Sequence, residues 1–138
     1  MGFVYAEIEL RNAIDYANAK KHLIGEEEIK SITVNMLIDS GSYMLAINEN
    51  IQEYLQIPVV GRKDFQMANG TWVSCNLVSP IDIKFKNRET TCRAVVLPGD
   101  SEPLMGSVPM EDLDVIILPK LQLLVVNPES PDMQTSRL

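Results

Sequence analysis

Apolar side chains recur at every second position near the start of the chain, where Val4, Ala6, Ile8 and Leu10 alternate with Phe3, Tyr5, Glu7 and Glu9. A period of two puts the two sets on opposite faces of a pleated strand, so the pattern predicts a half-buried first strand. It breaks at Asn12, which can cap a short helix with Asp15 in its first turn. Ala13, Ile14 and Ala17 give that helix a weak apolar face, and Gly25 lies just past its expected end. Alternation resumes at Ile32, Val34, Met36 and Ile38, opposite Ser31, Thr33 and Asn35, and this strand runs straight into Asp39. Tyr43 to Ile47 reads as strand. Asn48 then caps a turn or two of helix carrying Ile51, Tyr54 and Leu55, closed by Pro58.

From Pro58 onward the pattern is β. Segments around Val59 to Ala68, Thr71 to Ser79, Ile81 to Phe85, Thr91 to Leu97, Val115 to Leu118 and Leu121 to Val126 are separated by turn residues. Asn69-Gly70 suits a type I′ hairpin, because both central residues must take positive φ, and Pro119-Lys120 suits another reversal. Short strands at this spacing predict an all-β fold with one or two short helices, arranged as a small barrel or sandwich. The expected organisation is one domain over residues 1–126, followed by a flexible tail over 127–138 rich in proline, serine and threonine, unless a partner holds it. There is no internal repeat and no low-complexity tract.

Composition narrows the function. With 138 residues, 46% hydrophobic and 22% charged, the chain can build a core without disulfide staples. Twelve basic against nineteen acidic residues give a net charge of -7, which repels a phosphate backbone, so no nucleic-acid partner is expected. The single histidine, His22, and the two cysteines, Cys75 and Cys92, are too few for an ordinary zinc site, and neither cysteine belongs to a C-x-x-C pair. No metal and no cofactor are expected. The start of the chain has no basic region ahead of an apolar stretch, and no run approaches the roughly 18 apolar residues of a membrane span. The expectation is a cytoplasmic protein with no membrane association and with Cys75 and Cys92 as free thiols. Gly2 fails as a myristoylation site because Ala6 stands where Ser or Thr is needed, and Asn69-Gly70-Thr71 is read as a turn rather than a glycosylation acceptor.

The chemistry converges on Leu37-Ile38-Asp39-Ser40-Gly41-Ser42. An ionisable side chain at the end of an apolar strand, in a turn with two hydroxyls and a glycine, can have its protonation tuned by burial and by nearby donors, and Gly41 lets another backbone approach closely. Taken alone, Asp-Ser-Gly also makes an ordinary Asx turn.

Three features together resemble the retroviral-like (retropepsin-like) aspartic proteases, specifically the short bacterial members of that clan. They are the apolar strand into Asp39-Ser40-Gly41-Ser42; Ala68-Asn69-Gly70, similar to the tip of the flap that closes over substrate; and Leu104-Met105-Gly106, similar to the segment beside the catalytic loop, followed by a short helix near Pro109 to Leu113. The likeness spans about residues 29 to 126. Ser40 stands where many members have threonine, which keeps the hydroxyl, and bulky Tyr43 follows the loop.

The resemblance implies a closed-barrel-like, single-lobe acid protease fold and an aspartic endopeptidase. Its chemistry needs two carboxylates sharing a proton, since like charges roughly 3 Å apart cannot both ionise. None of the other aspartates (Asp15, Asp64, Asp82, Asp100, Asp112, Asp114, Asp132) is followed by Ser/Thr-Gly, so the second carboxylate has to be Asp39 of a second copy in a homodimer. By resemblance, Ser40 braces the two loops, Gly41 and Ser42 donate to the carboxylates, and the flap with Ala68, Asn69 and Gly70 covers a peptide or protein substrate. Two rival readings are a catalytically inactive peptide-binding module of the same fold, and an interaction protein in which the Asp39 loop is a plain turn. A Ser-His-Asp hydrolase is disfavoured, because His22 would be its only base and is read as a surface helix residue. Glu26-Glu27-Glu28 reads as a solvated turn, and Trp72 as packed in the flap or over the core, with a substrate contact as its other role.

Overall fold

A computed structural model describes residues 3–136, so the expectations placed on Gly2 and on the outermost ends of the 1–126 domain and the 127–138 tail lie outside the described residues. In chain order the elements are β1 (Val4–Asn12), α1 (Ala13–Lys20), β2 (Ser31–Ile38), β3 (Leu45–Asn48), α2 (Glu49–Leu55), β4 (Val59–Gln66), β5 (Trp72–Phe85), β6 (Arg88–Leu97), β7 (Leu104–Met105), α3 (Ser107–Leu113), β8 (Val115–Leu118) and β9 (Leu123–Val126). Seven strands form one sheet in the order β1-β2-β7-β3-β6-β5-β4, and a further pairing of β1 with β5 closes it into a ring from which β4 projects. A separate hairpin pairs β8 with β9. This matches the all-β, closed-barrel-like architecture that the resemblance implies.

The alternation in the first strand holds. Val4, Ile8 and Leu10 are buried on one face of β1, which pairs antiparallel with β2 along its whole length, Val4 opposite Ile38 and Arg11 opposite Ser31. Ile8, Leu10, Met36, Leu45, Ile47, Leu55, Ile81, Ile83, Met105 and Leu113 are fully buried in the main core, each worth about 1.5–3 kcal/mol of burial. β3 shows no alternation because it is buried on both faces. Leu45 and Ile47 enter the main core, while Ala46 packs with Cys75, Leu77 and Val95 in a second cluster. Met44, Phe65, Val73, Leu97 and Leu104 complete that cluster, seating the β4–β5 hairpin, up to the Phe65–Val73 pair next to its turn, on β3, β6 and β7.

Both expected helix caps are made. Asn12 Oδ1 accepts from the Ile14 and Asp15 amides, and Asn12 Nδ2 donates to the Leu55 and Gln56 carbonyls, so one buried side chain starts α1 and ties down the end of α2. Asn48 Oδ1 accepts from the Ile51 amide at 2.8 Å.

Several expectations need correction. α1 stops at Lys20, with His22 at φ 61° just beyond it, so His22 is an exposed turn residue rather than a helix residue and the stop precedes Gly25. α2 ends at Leu55, capped by Gln56 in the left-handed conformation ahead of Pro58, and buries Ile51 and Leu55 but leaves Tyr54 exposed. Strand β3 begins only at Leu45, leaving exposed Tyr43 outside it. The two segments expected either side of Ser79-Pro80 are one strand, β5, because a bulge between Val78 and Ile81 absorbs the proline without ending the ladder. The hairpin tip is not type I′. Gly70 has φ 85° but Asn69 does not take positive φ; instead the Gly70 amide closes a turn onto the Met67 carbonyl and the Met67 amide bonds the Thr71 carbonyl. That is the three-residue loop built on a type I turn with glycine in the left-handed position. Trp72 starts β5 beside the hairpin turn, 65% exposed and outside both hydrophobic clusters, so it does not pack over the core. Glu26–Glu28 is a solvated helical turn, and both cysteines are free, Cys75 buried and Cys92 half-buried. Among the described residues no helix is long and apolar enough to cross a membrane.

Candidate active site

The ring brings together segments far apart in sequence. β7 lies between β2 and β3, parallel to β2 (Leu37 opposite Leu104, Ile38 opposite Met105) and antiparallel to β3 (Leu45 opposite Met105). Where β2 ends, the Asp39 amide donates to the Met105 carbonyl at 2.9 Å. The chain then turns through Ser40 and Gly41, and the Ser42 amide closes the turn onto the Asp39 carbonyl at 3.1 Å.

The Asp39 carboxylate is held from within this turn. The Gly41 amide donates to Oδ1 at 2.9 Å and the Ser42 hydroxyl to Oδ2 at 3.0 Å. Asp39 and Ser42 are half-buried, while Ser40 and Gly41 are exposed, so the carboxylate stands at the edge of the core with one side open. A β-carbon on Gly41 would sit 3.2 Å from Asp39 Oδ1, so what approaches Gly41 is this carboxylate rather than another backbone.

The close backbone approach is made by Gly106. Its amide donates to the Met44 carbonyl at 3.0 Å, and the next two amides, Ser107 and Val108, donate to the carbonyls of Ser42 and Tyr43 at 2.7 and 3.0 Å. Gly106 has φ −88°, which any residue can adopt, yet an added β-carbon would fall 2.6 Å from the carbonyl oxygens of both Ser42 and Tyr43. Glycine is required there by space. Three successive donors of one segment thus fix the Asp39 loop from behind. The sequence reading paired Leu104-Met105-Gly106 with this loop but missed the backbone roles of Tyr43, Met44, Ser107 and Val108. Carbonyl and amide contacts leave no side-chain signature, so only the glycine could have pointed to them.

The hairpin residues Ala68, Asn69 and Gly70 are all exposed at the tip between β4 and β5. Just below them, Phe65 and Val73 face each other across the hairpin and pack in the cluster with Leu104 and Met44, so the turn end of the hairpin lies against segments that flank the Asp39 loop. Among the described residues no group of three or more His, Cys, Asp or Glu is arranged to hold a metal ion.

A family model described as aspartyl protease matches residues 26–118, which include the Asp39 loop, the hairpin and Leu104-Met105-Gly106. No curated protein matches the chain.

Proposed function

Because the chain belongs to an aspartyl protease family of the retropepsin-like clan, we propose that it is an aspartic endopeptidase of residues 1–126 that works as a homodimer, with Asp39 from each subunit forming the catalytic pair. The observation that carries this reading is the Asp39 loop: a carboxylate on the open edge of the core, held by the Gly41 amide and the Ser42 hydroxyl and braced by Gly106. One such loop per chain supplies half of the required pair, and an isologous contact about a twofold axis supplies the rest.

Two carboxylates at close range share one proton. The ionised member takes a proton from a bound water as that water attacks the scissile carbonyl carbon, and the protonated member donates to the carbonyl oxygen. No covalent intermediate is needed. The exposed Ser40 hydroxyls brace the paired loops, and Gly41 and Ser42 orient the carboxylates. The hairpin tip at Ala68, Asn69 and Gly70 folds over the peptide and excludes water. Peptide or protein is the substrate, and the two free thiols fit a reducing compartment such as the cytoplasm.

The Asp39→Asn variant tests this. It should fold and dimerise as the parent does while cleavage of an unfolded protein substrate falls by on the order of 10³-fold or more. Unchanged turnover would exclude the mechanism. Parent activity should also fall faster than linearly on dilution as dimers dissociate, and a strictly linear dependence in a sedimenting monomer would favour a monomeric function.

A further inference from the structure

The end of α3 remote from the Asp39 loop carries a cluster that the proposed reaction does not use. Asp114 caps this end in the left-handed conformation, φ 57°. Its carboxylate accepts from Asn127 Nδ2 at 2.9 Å, from the Ser130 hydroxyl, and from both the amide and the hydroxyl of Thr135 at 3.0 and 3.2 Å. Gln134 donates to the Asp112 carbonyl at 2.9 Å and accepts from the Glu89 amide at 2.9 Å, while Asn87 Nδ2 donates to the Pro131 carbonyl at 3.0 Å. The segment after β9, expected to be a flexible tail, is here bonded to α3 and to the start of β6.

Beneath it lies Arg88, fully buried. Its Nη2 donates to the Ser130 carbonyl and stands 3.9 Å from Asp114 Oδ2, and among the described residues Nε and Nη1 have no hydrogen-bond partner. Two opposing terms therefore meet. Donors gathered on one carboxylate hold the segment down, while a buried, incompletely bonded guanidinium disfavours the closed arrangement. Lifting the segment would free Arg88 Nη2 from the Ser130 carbonyl and strip the competing donors from Asp114, letting the existing Arg88–Asp114 pair draw closer. Opposed terms of this kind make a two-state element.

α3 links the cluster to the site. One end of this seven-residue helix is fixed by Ser107 and Val108 to the carbonyls of Ser42 and Tyr43, the other by Asp114 to the segment. We infer that residues 127–136 form a strap, latched by Asp114, whose release loosens α3 and through it the Asp39 loop. A ligand that pulls the strap away, or a cut within it, would then act on the site from the far end of the helix. Only the consequence for cleavage rests on the function proposed above; docking and coupling are properties of the fold.

Residue-level amide exchange on the full chain tests the inference without any activity measurement. The parent is compared with Asp114→Ala and with the milder pair Ser130→Ala and Thr135→Val, which keeps the carboxylate. The Thr135 and Glu89 amides should be protected in the parent and lose that protection in both variants. Ser107 and Val108 should then exchange about tenfold faster while the Ile8 amide in β1 is unchanged. If Asp114→Ala unfolds globally, shown by lost protection at Ile8, the double variant decides. Unprotected Thr135 and Glu89 in the parent would overturn the strap. A strap that stays protected in the double variant would overturn the latch, and unchanged Ser107 and Val108 after strap release would overturn the coupling.

Discussion

Gly106 lies against Tyr43 so closely that a β-carbon at 106 would press on the Tyr43 carbonyl group, 2.6 Å from its oxygen. The Ser42 and Tyr43 carbonyls it would meet are both backbone, so neither can move aside as a flexible side chain would. Gly106→Ala should therefore displace the Asp39 loop, lowering stability by about 1–3 kcal/mol and reducing cleavage more than that loss of folded protein explains. Gly61→Ala is the contrasting change. A β-carbon there meets only Leu77 Cδ1 at 4.0 Å, and φ is not in the left-handed region, so it should be neutral or stabilise by up to about 1 kcal/mol. Urea unfolding of the two variants beside the parent checks both signs.

Asn12 joins two helices through one buried amide. Its oxygen satisfies the first orphan amides of α1 and its nitrogen satisfies carbonyls at the end of α2. Asn12→Ala should cost about 2 kcal/mol or more, combining a lost cap with buried backbone groups left unpaired. A reduced thermal midpoint at unchanged activity per folded molecule is the expected result.

How much of this was legible follows from which forces leave a mark in sequence. The alternation of Val4 to Leu10 and of Ile32 to Ile38, and the caps at Asn12 and Asn48, are local and were read directly. Asp39, Gly41 and Ser42 could be named as a unit because their contacts span three residues. What escaped depends on distant segments meeting. Tyr54 has helical spacing with Ile51 yet faces outward, and the β5 strand survives Pro80 because a bulge absorbs it. Arg88 is fully buried and Asp114 gathers donors from residues 127–135, and neither looks different in sequence from a surface charge.

Hydrogen bonds from Ser130, Asn127 and Thr135 hold the Asp114 carboxyl below the usual carboxylate range, with Arg88 3.9 Å away. A carboxyl depressed in the folded state contributes stability that is fully present above its unfolded value, about pH 4, and is lost as pH falls through the folded value. Asp114→Asn should accordingly be less stable than the parent at pH 7, with the gap closing as pH drops below about 4. Thermal midpoints of the two proteins across that range provide the measurement, and a gap that is constant or widens in acid would contradict it.

Burial pushes the Cys92 thiol up to about 12, with Asp112 and Asp82 adding to the effect, and burial also raises Cys75. Both should stay protonated at neutral pH and react slowly with iodoacetamide in the folded protein, while unfolding in urea should make both fully reactive. Rapid alkylation of either without unfolding would refute this.

The shared-site claim is tested most directly by mixing subunits. Parent and Asp39→Asn chains are combined in equal amounts, allowed to exchange partners, and assayed at constant total protein. If each site needs Asp39 from both chains, random pairing leaves about one quarter of the activity of an all-parent sample. Retention of about one half would mean that each chain carries a complete site of its own, and the account would be wrong.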